Sequence, residues 1–245
     1  MCTVTYIPKE NGQFILTQNR DEDIKRAIAT PPIERIINGV KHLFPIDPQG
    51  GGTWIGTSET GRFTSLLNGG SETYSYNPPY RHSRGRIILD YFKYADFNAF
   101  YKAYNFNELE PFTFLVIEDD VMFELIVNES NVRLKELDRK RPYIYSSTSL
   151  YTDNSMEERR LVFSEWYYKS QNISQLDAVN FHHKFLFETE KDKRKIVGDY
   201  ILNTVSITSI HKTFNRTEIL YADQINDIQL KKVLKLKKPI LEQFD

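Results

Sequence analysis

Cysteine is all but missing from this sequence. Cys2 is the single one in 245 positions, which excludes an internal disulfide and any multi-cysteine metal site. An excess of one charge sign is also missing. Lys and Arg number 32 against 33 Asp and Glu, a net charge of −1, so bulk electrostatics gives no case for a nucleic-acid partner or an anionic membrane surface. Long hydrophobic runs are absent too, since "FTFLVIE" and "ELIV" are far too short to span a bilayer. No basic segment followed by an apolar stretch opens the chain, which predicts a cytoplasmic protein and idle glycosylation sequons at Asn128, Asn172 and Asn215. Phosphate-binding loops, nucleophile elbows and H-E-x-x-H metal motifs are lacking. His182 and His183 are adjacent, so on a helix they diverge by about 100° instead of facing one metal. Neither a metal nor a cofactor is expected.

What is present is an ordinary globular composition, 40% hydrophobic and 27% charged, enough to bury a core without staples. "CTVTYI" and "QFILTQNRDE" flank a Gly-containing turn and predict a hairpin. Residues 27–50 hold four prolines and no helical period, and are read as irregular. Two short strands surround "SETG", and residues 83–104 carry the apolar spacing of an amphipathic helix. Three strands follow from "FTFLVIE", then a fourth in "YIYSSTSLY". Residues 155–202 read as mostly helical, with Leu161, Phe163, Trp166 and Tyr167 as the buried stripe. A last hairpin spans "NTVSITSIHKTFNRTEILYAD". Hairpin-rich sheets with helices gathered in blocks predict an α+β fold or layered sheet sandwich, not βαβ alternation. With no linker or repeat, residues 1–245 are expected to form one domain. The lysines Lys231, Lys232, Lys235, Lys237 and Lys238 are read as a solvated face.

The chemistry-bearing residues cluster around the lone thiol. Removal of Met1 would give Cys2 a free α-amino group beside its thiol, a nucleophile and base on one residue. Asn19, Arg20 and Asp21 end the second predicted strand and, across the hairpin, lie near the start of the first. Alone, that cluster would read as a solvated strand end; around the sole thiol it reads as a site. Asn68 in "LLNGG" is a second strand-end amide, beside glycines that let a substrate approach the backbone. As a hairpin former it would need no further role.

"MCTVTYIP", "QNRDE", "GGTWIGTSETGRFTSLLNGG" and "RHSRGRIILDYF", in that order, resemble the NRDE family, whose animal members are called transport and Golgi organisation protein 2. That family is similar to the N-terminal nucleophile hydrolases of the choloylglycine hydrolase and penicillin V acylase branch. The resemblance implies a four-layer αββα sandwich. It also implies Cys2 as nucleophile, Asp21 as the contact of its amino group, and Asn68 as an oxyanion donor. The branch carries Arg-Asn-x-Asp where this chain has Asn19, Arg20, Asp21 and Glu22, so the arginine is displaced by two residues and keeps its strand face. A second asparagine of the branch falls at about Ser147, which offers a hydroxyl in place of an amide.

The mechanism has its own physical basis. An α-amine titrates near ~7.7–8.0 and a thiol near ~8.5, so a proton passes between them at little cost. The amine then serves as base and afterwards as acid. Arg20 would favour the thiolate, and Asn68 would hold the oxyanion. The expected reaction is hydrolysis of an amide C–N bond of a small molecule. The alternative is a non-catalytic carrier of an apolar ligand, such as haem or a lipid, to which the family is connected. Asn19, Trp54, Arg81, Arg84 and Ser147 are the expected substrate-binding residues. Tyr74, Tyr76, Tyr80 and Arg81 are expected to rim the cavity, with Arg81 or Arg84 meeting an anionic part of the ligand.

Overall fold

A computed structural model describes residues 3–71, 74–149, 151–185 and 202–237. Cys2, Lys238 and the later part of the second helical block lie outside the described residues. The opening hairpin is β1 (Thr3–Pro8) with β2 (Phe14–Asp23). Then come β3 (Thr30–Ile37), β4 (Val40–Ile46), β5 (Ile55–Ser58) and β6 (Phe63–Asn68). Two short helices, α1 (Arg86–Tyr91) and α2 (Phe97–Ala103), precede β7 (Phe112–Glu118), β8 (Val121–Val127), β9 (Val132–Leu137) and β10 (Tyr143–Ser146). Next are α3 (Asp153–Lys169), α4 (Gln175–Asn180) and a π-helical turn, Phe181–Phe185. β11 (Leu202–Lys212), β12 (Arg216–Asp223) and β13 (Ile228–Lys235) complete the described residues.

These strands make two sheets, ordered β10-β1-β2-β11-β12-β13 and β3-β4-β5-β6-β7-β8-β9. Every named pairing is antiparallel, which fits the hairpin-rich reading and excludes βαβ alternation among the described residues. Strand alternation decides what each face buries. Val4, Tyr6, Phe14 and Leu16 of the first sheet pack against Ile55, Phe63, Leu67 and Leu115 of the second. The other face of the second sheet buries Phe112, Phe114 and Leu125 beneath Ile88, Tyr91 and Phe100 of the short helices. On the first sheet, Ile7 and Ile15 pack with Phe163, Ala178 and Phe181.

Three readings from sequence need correction. Residues 27–50 are not irregular; they form the β3–β4 hairpin around Asn38 and Gly39, both at positive φ. Pro31 and Pro32 are tolerated because β3 is an edge strand, where a missing N–H leaves no ladder bond broken. The single helix over 83–104 is two helices, because Asp96 caps a new start by accepting from Ala99 N–H at 2.7 Å. Leu161 is 63% exposed and leaves the buried stripe to Phe163, with Trp166 and Tyr167 packed beside it. The lysine-rich end is solvated as read: Lys231, Lys232 and Lys235 are exposed on strand β13, where Lys231 pairs with Glu218 at 2.6 Å, and just beyond it the exposed Lys237 pairs with Glu59 at 2.8 Å.

One side chain ties the sheets together by hydrogen bonds. Gln18 of β2 is wholly buried, donates from Nε2 to the Leu66 carbonyl at 2.7 Å and accepts from Ser65 Oγ at 2.7 Å. Both partners lie on β6, in the facing sheet. Gln18→Leu keeps most of the volume and strands the Ser65 hydroxyl in the core, so it is expected to lower unfolding free energy by about 1–3 kcal/mol. Equilibrium denaturation measures this, and a loss below about 0.5 kcal/mol, the range of neutral surface changes, would contradict it.

Candidate functional site

The period of two in β2 divides the polar cluster between opposite faces. Gln18 and Arg20 continue the row of Phe14 and Leu16 toward the second sheet. Asn19 and Asp21 turn the other way, toward the π-helical turn and the segment before α3. The cluster is therefore two half-sites back to back, not one ring of groups.

On the inner face lies a cleft of about 420 Å³ where the end of β2 meets the segment Gly52–Trp54 before β5, the end of β6 and the loop of residues 76–85. Arg20, Trp54, Asn68, Tyr76, Tyr80 and Arg84 are among its lining residues. Arg20 is buried with its guanidinium 5.2 Å from the Trp54 ring centroid, a cation–π stack. Its Nη2 stands 3.5 Å from Asp47 and 4.0 Å from Glu22. Arg26 makes the closer contact with Asp47, 2.8 Å. Burial opposes ionisation of Asp47, but Arg26 and Arg20 together outweigh it and hold that carboxyl below its ordinary range. The Asn68 side-chain amide has no hydrogen-bond partner among the described residues.

The loop residues have more structural work than the sequence suggests. Arg84 pairs with Glu110 at 3.1 Å and donates to Tyr74 Oη and the Pro111 carbonyl. Tyr74 donates to Glu110 at 2.7 Å, and burial raises its pKa to about 12. Tyr74 is absent from the cleft lining, and so is Arg81, which lies over the Tyr104 ring and donates to the Asn105 carbonyl. Ser147 is also outside it; its hydroxyl donates to the Asn68 carbonyl at 2.6 Å and bonds Ser149. Space beside the two glycines is filled by the chain itself. Gly69 has φ +89° and a Cβ there would meet Thr148 Oγ1, while one on Gly70 would meet Asn128 Oδ1.

The outer face holds a buried hydrogen-bond chain that the sequence did not disclose. Thr5 Oγ1 lies 2.7 Å from His182 Nε2, and His182 Nδ1 bonds Asn19 Oδ1. An amide oxygen only accepts, so Nδ1 carries the proton and Nε2 accepts from Thr5. Asn19 Nδ2 donates to Thr204 Oγ1 at 3.2 Å, and Thr204 donates to Asp21 Oδ1 at 2.6 Å. Tyr151 donates to Asp21 Oδ2 at 3.0 Å. The Arg159 guanidinium lies 3.6 Å from the Tyr151 ring centroid and donates to Thr3 Oγ1. Asp21 is thereby held as an acceptor at the start of β1. His182, Thr204, Tyr151 and Arg159 lie 130 or more positions from the β1 and β2 residues they hydrogen-bond, so no local pattern marks them. The π-helical turn bearing His182 is an unusual local feature of this network.

A larger groove, about 1180 Å³, opens at the far ends of β1 and β2 beside Asn11, Asp120 and Arg139. It contains none of the expected site residues. Two of its lining cations are engaged, Arg139 with Asp120 and Lys9 with the Ile173 carbonyl. Among the described residues no His, Cys, Asp or Glu group could hold a metal, and no helix is long and apolar enough to cross a membrane.

Burial lowers the pKa of His182 to about 3 and of His42 to about 4. The unfolded chain takes up these protons near ~6.5, the native state only well below, so stability falls as pH falls through that window. Denaturation at pH 7 and pH 5 is expected to show lower stability at pH 5. In His182→Gln that pH-dependent difference shrinks, whatever the absolute stability; an unchanged difference would mean that His182 is not held neutral.

The family Transport and Golgi organisation 2 matches residues 1–228. No curated protein matches the chain. Among solved structures, a Caenorhabditis elegans N-acylethanolamine-hydrolyzing acid amidase ortholog is similar at TM-score 0.51 and 15% identity, covering 85% of this chain and 92% of that one. Two forms of conjugated bile acid hydrolase from Clostridium perfringens, a mutant and a variant, give TM-score 0.47 and 10% identity over 97% of this chain and 98% of theirs.

Proposed function

This chain belongs to the Transport and Golgi organisation 2 family, and from that premise we propose that it is an amidohydrolase cleaving a C–N bond with Cys2 as N-terminal nucleophile. The observation that carries the reading is the 420 Å³ cleft lined by Arg20 and Asn68 from different sheets, with Asp21 hydrogen-bonded on the reverse face of the same strand. The amidase-like fold supplies a compatible scaffold. Packing on the outer face of each sheet supports the four-layer αββα order in one domain.

In this mechanism the Cys2 α-amine, freed by loss of Met1, takes the thiol proton and the thiolate attacks the substrate carbonyl. Asn68 donates to the developing oxyanion, where one such donor is worth about 2.7–4 kcal/mol. The C–N bond breaks as the ammonium returns its proton to the departing amine, leaving a thioester. Water, deprotonated by the same amine, then releases the acid and restores the thiol. Asp21 orients the amine and Arg20 favours the thiolate. Ser147 takes no direct part; its hydroxyl fixes the Asn68 backbone carbonyl.

Because Cys2 is the sole cysteine, alkylation by iodoacetamide read by intact mass reports on it alone. Processed protein is expected to react about tenfold or more faster at pH 6–7 than a form retaining Met1, whose nitrogen is an amide and cannot take the proton. Equal, ordinary rates in both forms would remove the nucleophile and leave a ligand-binding protein.

A further inference from the structure

The hydrogen-bond chain on the outer face of β2 runs in one direction, and each link fixes the next. Thr5 Oγ1 donates to His182 Nε2 at 2.7 Å, so the ring proton is on Nδ1 and goes to Asn19 Oδ1. Asn19 Nδ2 is thereby turned to Thr204 Oγ1, 3.2 Å away. An amide NH2 only donates, so the single hydroxyl proton of Thr204 is left for Asp21 Oδ1, at 2.6 Å. Were the Asn19 amide turned over, its oxygen would claim that proton, and Thr204 would face Asp21 with lone pairs alone. His182 excludes this form, because its Nδ1–H requires the amide oxygen. A residue three hydrogen bonds away thus decides whether Asp21 receives the Thr204 donor.

The backbone is shaped for the last link. In the ladder between β2 and β11, Thr204 stands opposite Asp21 and Ser206 opposite Arg20, with a bulge between them at Val205. Residues two apart on a regular strand share a face, yet Asp21 and Arg20 face opposite ways. The extra residue turns Thr204 outward to Asp21 and leaves Ser206 on the side of Arg20. Asp21 Oδ2 accepts from Tyr151 at 3.0 Å, so each carboxylate oxygen is held by a donor from a different part of the chain. His182, Asn19 and Asp21 are 0%, 3% and 4% exposed, so solvent does not stand in for a lost link. Buried hydrogen bonds in series also polarise one another, which strengthens the one that ends on the carboxylate.

We propose that Thr204 and His182 are positioning residues for the Cys2 α-amine, acting through Asp21 by fixing the direction in which its carboxylate faces. Both roles presuppose the function proposed for this chain, with Cys2 as nucleophile and Asp21 as the contact of its amine. An amine that is held in place lowers the proportion of protonated thiol at neutral pH; one that is loosely held leaves the thiol to ionise near its ordinary ~8.5. Loss of either positioning residue therefore acts where an ordinary thiol is protonated and fades where it ionises unaided.

The test is the pH profile of iodoacetamide alkylation of the full chain, read by intact mass. Within each variant the rate of protein lacking Met1 is divided by that of protein retaining it, so a general loosening of the fold affects both forms and cancels. Thr204→Val keeps the branched shape and the strand preference but removes the hydroxyl. At pH 6–7 it is expected to cut the ratio from about tenfold or more to about twofold or less, with little change near pH 9. Thr204→Ser should restore the ratio. His182→Phe should repeat the loss, and His182→Asn, whose Nδ2–H can replace Nδ1–H toward Asn19, should keep most of the ratio. A purely structural role would lower Tm and leave the shape of the profile unchanged. A full ratio in both Thr204→Val and His182→Phe would overturn the positioning roles and leave the nucleophile standing. Losses equal at every pH, or no rescue by Thr204→Ser, would overturn those roles as well. A ratio near one in the unaltered chain would remove the nucleophile, and the positioning roles with it.

Discussion

The bridge from Gln18 to Ser65 and Leu66 sets the register of everything around the cleft. Two sheets whose facing surfaces are held only by apolar contact can slide, because dispersion and burial are non-directional. A buried amide satisfied at both ends from the opposite strand removes that freedom, since a slip would leave a donor and an acceptor unpaired in the core. Arg20 lies two residues along β2 from Gln18, and Asn68 two residues along β6 from Leu66. The bridge thus lies two residues from each half of the cleft.

From that point, strand alternation assigns opposite tasks to neighbouring residues. Arg20 meets Trp54 and the cleft carboxylates, while Asn19 and Asp21 enter a hydrogen-bond chain running through His182 and Thr204. His182 enters that chain as a neutral ring, because full burial makes its imidazolium form unfavourable. The two faces follow one rule: a buried charge has a partner, and an uncharged group closes each chain. Arg159 is buried against Tyr151 and Thr3, which places a cation beside the start of β1.

Much of the fold could be read in advance wherever the signal was local. The hairpins around Glu10–Gly12, "SETG" and Asp119–Asp120 carry turn residues at the required positions, and their strands alternate or run apolar as their burial demands. The β3–β4 hairpin escaped because its prolines are admissible only on an edge, and edge position is a property of the sheet. The break between α1 and α2 escaped because a buried carboxylate from β7, Glu118, accepts from Phe97 N–H and Tyr91 Oη. For Leu161, helical spacing gave the period but not the phase.

By itself the sequence determined a chain of near-neutral charge, its hairpin-built sheets, the lone thiol at Cys2 and the polar residues that approach the start of β1 across the first hairpin. Those properties follow from composition and from neighbours a few positions apart. Only the tertiary structure decided that Asn19 and Asp21 face away from Arg20, that Arg84 is matched by Glu110 while Arg81 lies elsewhere, and that His182 and Thr204 complete the network at Asp21. Those outcomes depend on which distant side chains meet once two sheets and their helices pack. Burial, charge pairing and hydrogen-bond satisfaction are properties of that packing, and no local spacing encodes them.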